Sequence, residues 1–169
     1  LNGGAGDDTL YGEDGDDTID GGAGNDTIIS GSGSDVIIIT SLSDSDTLSD
    51  FTDGTDAIGF DSSITSSNLV ISASGSDTVI KNGSDILLTL TGISSANVTA
   101  ADLQSTSTDA QTINGTSGND ILVGGAGNDT FNGGAGSDQL VGWGGDDTFN
   151  ITSKSGSWID TINGGSGTD

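Results

Sequence analysis

The sequence predicts an all-β protein in which very short strands stack in parallel to form a solenoid. Two blocks of the chain repeat with a period of nine residues, and a large apolar residue occupies the eighth place of every period. The apolar content of 30% is low for a conventional thick core. We therefore expect the recurring apolar side chains to form the core as a continuous column.

The repeat is visible when the first block is written in rows of nine from residue 3 and the second from residue 115. All eight rows have glycine at the fourth place and aspartate at the sixth. The first glycine is replaced by Ser30 in one row, and the second by Glu13, Thr116 and Trp143. The eighth place holds Leu10, Ile19, Ile28, Ile37, Leu122, Phe131, Leu140 and Phe149.

Each row divides into a six-residue loop and a three-residue strand. Glycines suit the loop because they can adopt positive φ and allow close backbone approach. Parallel strands lie roughly 4.8 Å apart, so the sixth-place aspartates of stacked loops repel one another unless a cation lies between them. The chain has no His or Cys, and a ligand set of carboxylate and carbonyl oxygens favours Ca²⁺ over Zn²⁺, copper or Mg²⁺.

Charge and composition exclude several classes of function. The formal net charge is -24, from 26 acidic residues against Lys81 and Lys154, which leaves no basic surface for nucleic acid or for an anionic membrane. The longest apolar run, Val36 to Ile39, is far too short for a membrane span. The absence of cysteine is compatible with an extracellular location. Without a His or Cys base or nucleophile, and with no nucleophile elbow, we expect no enzymatic activity.

The nine-residue pattern G-G-x-G-x-D-x-U-x resembles that of the RTX (repeats-in-toxin) family. The resemblance implies a parallel β-roll, a right-handed β-solenoid in which two rows complete one coil. It also implies that calcium lies between loops two rows apart, held by the sixth-place aspartate and by loop carbonyls. Asp8 would then pair with the loop 21–26, Asp17 with 30–35, Asp120 with 133–138 and Asp129 with 142–147.

The resemblance thus assigns calcium-site residues to both blocks, and these are of two kinds. The aspartates are Asp8, Asp17, Asp26, Asp35, Asp120, Asp129, Asp138 and Asp147. The loop glycines are Gly3, Gly6, Gly12, Gly15, Gly21, Gly24, Gly124, Gly127, Gly133, Gly136, Gly142 and Gly145.

The stretch between the blocks leaves the period but keeps β character. An extended stretch with a turn at Asp53-Gly54 is predicted at 46–60, and strands are predicted at 68–72, 77–81 and 86–91. An Asn82-Gly83 hairpin turn and a capped helical turn from Thr99 to Asp102 are also expected. The acidic residues between Asp44 and Asp56 are interpreted either as a further metal site or as a solvated face. The predicted divisions are a roll block at 1–38, a β-rich intervening or capping module at 39–113, a second roll block at 114–163 with a degenerate last repeat from 155, and the start of another repeat at 164–169.

The resulting hypothesis is a calcium-binding structural module whose folding is coupled to extracellular Ca²⁺. By resemblance it would belong to a large bacterial protein that is secreted by a type I route or displayed at the cell surface. The parent would be a surface-layer, adhesin or filament protein, with self-association left open. The alternative is a folding and secretion appendage of a secreted protease, lipase or toxin. In either case the chain is expected to be disordered without calcium.

Overall fold

Strands make up nearly all the regular structure of the chain. The computed structural model describes residues 1–61, 64, 69–151 and 158–169. The strands of the described residues are β1 (Asn2–Ala5), β2 (Thr9–Tyr11), β3 (Thr18–Ala23), β4 (Thr27–Ile29), β5 (Val36–Ile39), β6 (Asp46–Leu48), β7 (Ala57–Phe60), β8 (Leu69–Ser74), β9 (Asp77–Asn82), β10 (Asp85–Leu90), β11 (Leu103–Ser105), β12 (Thr112–Asn114), β13 (Ile121–Val123), β14 (Thr130–Asn132), β15 (Gln139–Val141), β16 (Thr148–Asn150) and β17 (Thr161–Asn163).

The first block folds as a parallel roll in which successive rows enter opposite sheets. Strands β1, β3 and β5 pair in parallel, while β2 pairs in parallel with β4. The register sets Leu10 opposite Ile28 and Ile19 opposite Ile37. Two rows therefore complete one coil, and the predicted parallel β-roll is confirmed.

The intervening stretch extends both sheets of the first block. Strand β7 pairs in parallel with β5 and β11, and β6 pairs in parallel with β4 and β10. Strands β8, β9 and β10 form an antiparallel meander, and β8 meets β13 of the second block. One sheet thus runs from the first block to the second, while the proposed division into modules stays a prediction.

Two local predictions for this stretch are confirmed. Asn82 pairs with Asp85 across a hairpin turn that contains Gly83. Thr99 caps a 3₁₀ turn at Ala100–Asp102, with a capping box between Thr99 and Asp102. Asn68, the predicted first residue of the second extended segment, lies outside the described residues, and β8 begins at Leu69.

The second block repeats the arrangement of the first. Strands β12, β14 and β16 form one parallel sheet, while β13, β15 and β17 pair in parallel in the other. The Phe131 and Phe149 rings stack with centroids 4.9 Å apart. Asn132 and Asn150 each donate a side-chain hydrogen bond to the asparagine of the preceding coil. Of the predicted degenerate row, the structure describes 158–163; Lys154 and the residues 155–157 lie outside the described part of the chain.

The eighth-place side chains form the core column that the period predicts. Ile19, Ile28, Ile37, Leu122, Phe131 and Leu140 are all fully buried. The column of the first block continues into the intervening stretch through Leu48, Ile58 and Leu103. The second block has a separate column, which weakens at the last coil, where Ile162 is 44% exposed. Burial of these columns is the main apolar contribution to stability, because each three-residue strand has little else to bury.

Two substitutions at the same place of the repeat test this column. Ile28→Ala should lower the free energy of unfolding in saturating calcium by about 2–5 kcal/mol, because Ile28 is 0% exposed. Ile162→Ala, where the side chain is 44% exposed, should cost less than about 1 kcal/mol. Urea unfolding followed by circular dichroism measures both. Equal losses would show that the column is not the core.

Candidate metal centre

The loops of alternate rows stack in register through their sixth-place aspartates. The backbone N–H of Asp8 donates to Asp26 Oδ1 at 2.8 Å, and that of Asp17 donates to Asp35 Oδ1 at 2.9 Å. In the second block, Asp120 N–H donates to Asp138 Oδ1 and Asp129 N–H to Asp147 Oδ1. Each carboxylate thus binds the loop one coil before it, and the loops that are two rows apart are the ones in contact.

The fifth place of the loop forms a second ladder that runs in the opposite direction. Asn25 N–H donates to Asp7 Oδ1, and Ser45 N–H donates to Asn25 Oδ1. Asp146 N–H likewise donates to Asn128 Oδ1. A side-chain acceptor at the fifth place therefore binds a backbone N–H of the next coil. This role explains why an acidic residue precedes the sixth-place aspartate in several rows.

The first-place glycine forms a cradle for the second oxygen of the sixth-place carboxylate. A Cβ on Gly3 would lie 3.0 Å from Asp8 Oδ2 and 2.5 Å from the carbonyl oxygen of Gly21, one coil later. A Cβ on Gly142 would clash with Asp147 Oδ2 and with the Gly164 carbonyl. The cradle thus gathers a carboxylate oxygen and a carbonyl oxygen of the next coil, and a Cβ at Gly3 or Gly142 would displace them.

Several sixth-place carboxylate oxygens are buried without a hydrogen-bond donor. They are Oδ2 of Asp8, Asp26, Asp35 and Asp147. Asp26 and Asp35 are each only 1% exposed. A buried ionised oxygen without a partner is costly, so these atoms require a cation or a proton.

Local electrostatics support the need for a cation. Burial raises the pKa of Asp147, and the charges of Asp129, Asp169 and Asp146 raise it further. No three acidic side chains among the described residues converge on one point, so an ion here also needs backbone carbonyls. Hard oxygen ligands of this mixed kind suit Ca²⁺. The residues present therefore fit calcium.

The structure places the predicted loop glycines in three settings. Gly3, Gly12, Gly21, Gly124 and Gly142 lie against a carbonyl or carboxylate oxygen in their own or the next coil, as does Gly133 against Asp138. The fourth-place residues Gly6, Gly15, Gly24, Gly136 and Gly145 have positive φ. Gly127 does not, and neither does Gly118 in the preceding loop.

The aspartate ladder also includes four residues that were not among the predicted calcium-site residues of the repeats. Asp46 Oδ1 accepts from Asp26 N–H, and Asp56 Oδ1 accepts from Asp35 N–H. Asp160 and Asp169 accept in the same way from Asp138 and Asp147. A shorter signal would have found them: each of Asp46, Asp56 and Asp160 is followed two residues later by a large apolar residue.

Hydrogen bonds to the backbone of the first block account for Asp44 and Asp50. Asp50 accepts from the N–H groups of Ser30 and Gly31, and Asp44 accepts from Gly24 N–H. The Gly24 bond holds the pKa of Asp44 below its usual range. Burial, with the Asp26, Asp44 and Asp20 charges, raises the pKa of Asp46 to about 6. The Asp44 and Asp50 carboxylates thus cap the last loops of the first block through the backbone.

None of the helices in the described ranges is long and apolar enough to cross a membrane.

Comparison with known proteins shows which family the repeats resemble. The family model for the RTX calcium-binding nonapeptide repeat matches residues 2–37 and 111–149, a little under half of the chain. No curated protein is significantly similar in sequence. The solution structure of the AlgE6R3 subunit of the Azotobacter vinelandii mannuronan C5-epimerase is 23% identical, with 60% of this chain and 79% of that chain covered, at a TM-score of 0.32. The family match identifies residues 2–37 and 111–149 as RTX calcium-binding nonapeptide repeats, and the parallel pairing of their strands shows that the repeats fold as a β-roll.

Proposed function

We propose that this chain is a structural module whose folding is coupled to calcium in a secreted or cell-surface protein, and that it is not itself catalytic. One observation carries the proposal. Buried carboxylate oxygens without a donor recur in the stacked loops of a chain with a net charge of -24. Only a bound cation offsets both the burial and the repulsion at neutral pH.

The residues that would hold the ion follow from the cradles. Asp8, Asp26, Asp35 and Asp147 offer the free Oδ2 atoms. The first-place carbonyls of the next coil, such as those of Gly21 and Gly164, lie beside them. Asp17 and Asp138 stand in the same stacked ladder, so we extend the proposal to them. Bound calcium would supply positive charge and a flexible oxygen-coordinating centre.

Loss of calcium would leave the loops with uncompensated charge. The strands are three residues long in most rows, so they cannot hold the coils together alone. The apo chain would then be disordered, since its composition favours disorder. Calcium affinity of extracellular modules is weak enough that the chain would stay unfolded in the cytosol and fold outside.

A surface-layer, adhesin or filament protein is the parent that we favour, exported by a type I route and open to self-association. The supporting observation is that one sheet joins the two repeat blocks through the meander β8–β10. A continuous sheet makes the module a stiff building unit. A folding appendage of a secreted enzyme is the alternative, and a metzincin His cluster or a nucleophile elbow in the flanking sequence would indicate it.

Circular dichroism during a calcium titration tests the coupling. Strand signal should be absent in chelator and should rise to a plateau with calcium, because the cation neutralises the buried carboxylates. Magnesium at equal concentration should give a much smaller signal, since it dehydrates reluctantly and prefers a rigid octahedron. Full strand signal in chelator would refute coupled folding.

A matched pair of aspartate variants tests whether the sites are specific. Asp26→Asn should move the calcium midpoint several-fold higher, because Asp26 Oδ2 is buried without a donor and carboxylate charge tunes calcium affinity. Asp85→Asn removes the same charge from an exposed hairpin position and should leave the midpoint nearly unchanged. Equal shifts would mean that calcium acts by general charge screening.

The cradle itself is tested by adding one methyl group. Gly142→Ala would press its Cβ on Asp147 Oδ2 and on the Gly164 carbonyl. It should raise the calcium midpoint and cost about 1–3 kcal/mol of stability. Gly144→Ala is the control, because its Cβ would have no neighbour closer than 3.5 Å. If both variants titrate as the wild type does, the cradle does not bind the ion.

A further inference from the structure

The repeat loops occur in two states that differ at the second oxygen of the sixth-place aspartate. In the open state, seen at Asp8, Asp26, Asp35 and Asp147, Oδ2 is buried and has no donor. In the closed state a backbone N–H of the same loop donates to Oδ2. Thr116 N–H donates to Asp120 Oδ2 at 2.7 Å, and Gly125 N–H donates to Asp129 Oδ2 at 2.9 Å.

The φ angle of the second-place residue separates the two states. Gly4, Gly22, Gly31 and Trp143 precede the open aspartates by four residues, and all have φ between 71° and 101°. Thr116 and Gly125 precede the closed aspartates by the same distance and are not in this region. The second-place residue thus decides whether its N–H points at the carboxylate of its own loop.

Thr116 has a physical reason to close its loop. A β-branched residue pays a high steric cost at positive φ, so threonine disfavours the open state. Its hydroxyl also donates to the carboxylate, 3.0 Å from Asp120 Oδ1 and 3.2 Å from Oδ2. Both oxygens of Asp120 are therefore bound within the loop itself.

Trp143 shows one way in which a second-place residue other than glycine keeps a loop open; Glu13, with a φ of 74°, is another such residue at positive φ and is not β-branched. The φ of Trp143 is 71°, a conformation that costs roughly 1–2 kcal/mol for a residue with a Cβ. Its indole Nε1–H donates to the carbonyl of Leu103 at 2.6 Å, and the ring packs against the core. This anchor holds the backbone in the left-handed region, and Thr116 has no such anchor, since its hydroxyl is bound to Asp120.

The other closed loop lies against the intervening stretch. Ala126 N–H donates to the Ser107 carbonyl at 2.8 Å, and Gln111 N–H donates to Asp129 Oδ1 at 2.8 Å. Asp129 thus receives one backbone donor on each oxygen. Asp56 is satisfied in the same way, by Asp35 N–H and by Thr52 N–H. Backbone donors therefore replace the cation where the repeats meet the stretch between the blocks.

Resting on the proposed function, we infer that the first two loops of the second block, 115–120 and 124–129, hold their aspartates without calcium, and that Thr116 is the residue that excludes the ion from its loop. The calcium sites are then fewer than the repeats. The loops 115–120 and 124–129 therefore fold without a bound cation, next to the intervening stretch.

Three variants and one reference test this inference by calcium titration of strand signal and by equilibrium dialysis. Asp120→Asn should leave the calcium midpoint within about twofold of the wild type, while the reference Asp26→Asn shifts it several-fold. Thr116→Gly should increase the bound calcium by one ion per chain, because glycine permits the open state. Thr116→Val removes the hydroxyl but keeps the β-branch and the N–H donor, so the stoichiometry should not change.

The outcomes separate this inference from the proposed function. Equal midpoint shifts in Asp120→Asn and Asp26→Asn, or unchanged stoichiometry in Thr116→Gly, would overturn the inference and leave calcium-coupled folding intact. No shift in Asp26→Asn would overturn the proposed function itself. Hydrogen exchange of the Thr116 amide in the folded protein gives a readout that does not depend on the number of bound calcium ions. Protection of this amide supports its hydrogen bond to Asp120, and rapid exchange contradicts that bond.

Discussion

The structure depends on one electrostatic constraint, which is that aspartate carboxylates are buried in stacked glycine loops. From the second coil of each ladder, one carboxylate oxygen accepts a backbone N–H from the coil before it, as Asp26 does from Asp8 and Asp147 does from Asp129. In the open loops the other oxygen has no donor, so the fold is incomplete without a positive charge. The short strands and their apolar column gain their stability only when this charge is balanced.

In the stretch between the blocks, backbone N–H groups stabilise the aspartate carboxylates. Asp50 and Asp56 direct their carboxylates at backbone N–H groups of the last loops of the first block. At Asp50 and Asp56 the dipoles of backbone N–H groups thus stabilise the carboxylates in place of a cation. These bonds also cover the last loops of the first block. The meander β8–β10 then carries one sheet across to the second block, so the two blocks share a scaffold although their repeats are interrupted.

Much of the architecture could be predicted from the sequence because it is periodic. The eighth-place column and the parallel pairing follow from a period that appears eight times, whereas the contact between loops two rows apart was implied by the resemblance to the RTX family. Asp46 and Asp56 lie outside the predicted repeat rows because the loop of Asp46 has no glycine and the loop of Asp56 keeps only the fourth-place Gly54. Spacing alone does not reveal that a carboxylate can occupy a ladder position in such loops. The closed state of Asp120 depends on a backbone angle, which the replacement of glycine by Thr116 suggests but does not specify.

Anomalous X-ray diffraction from crystals grown in calcium tests the central claim most directly. The account predicts anomalous peaks within about 2.3–2.6 Å of the Oδ2 atoms of Asp26, Asp35 and Asp147. It would be contradicted if those cradles held only water while the coils remained stacked as they are here, since the buried charge would then be balanced without a metal ion.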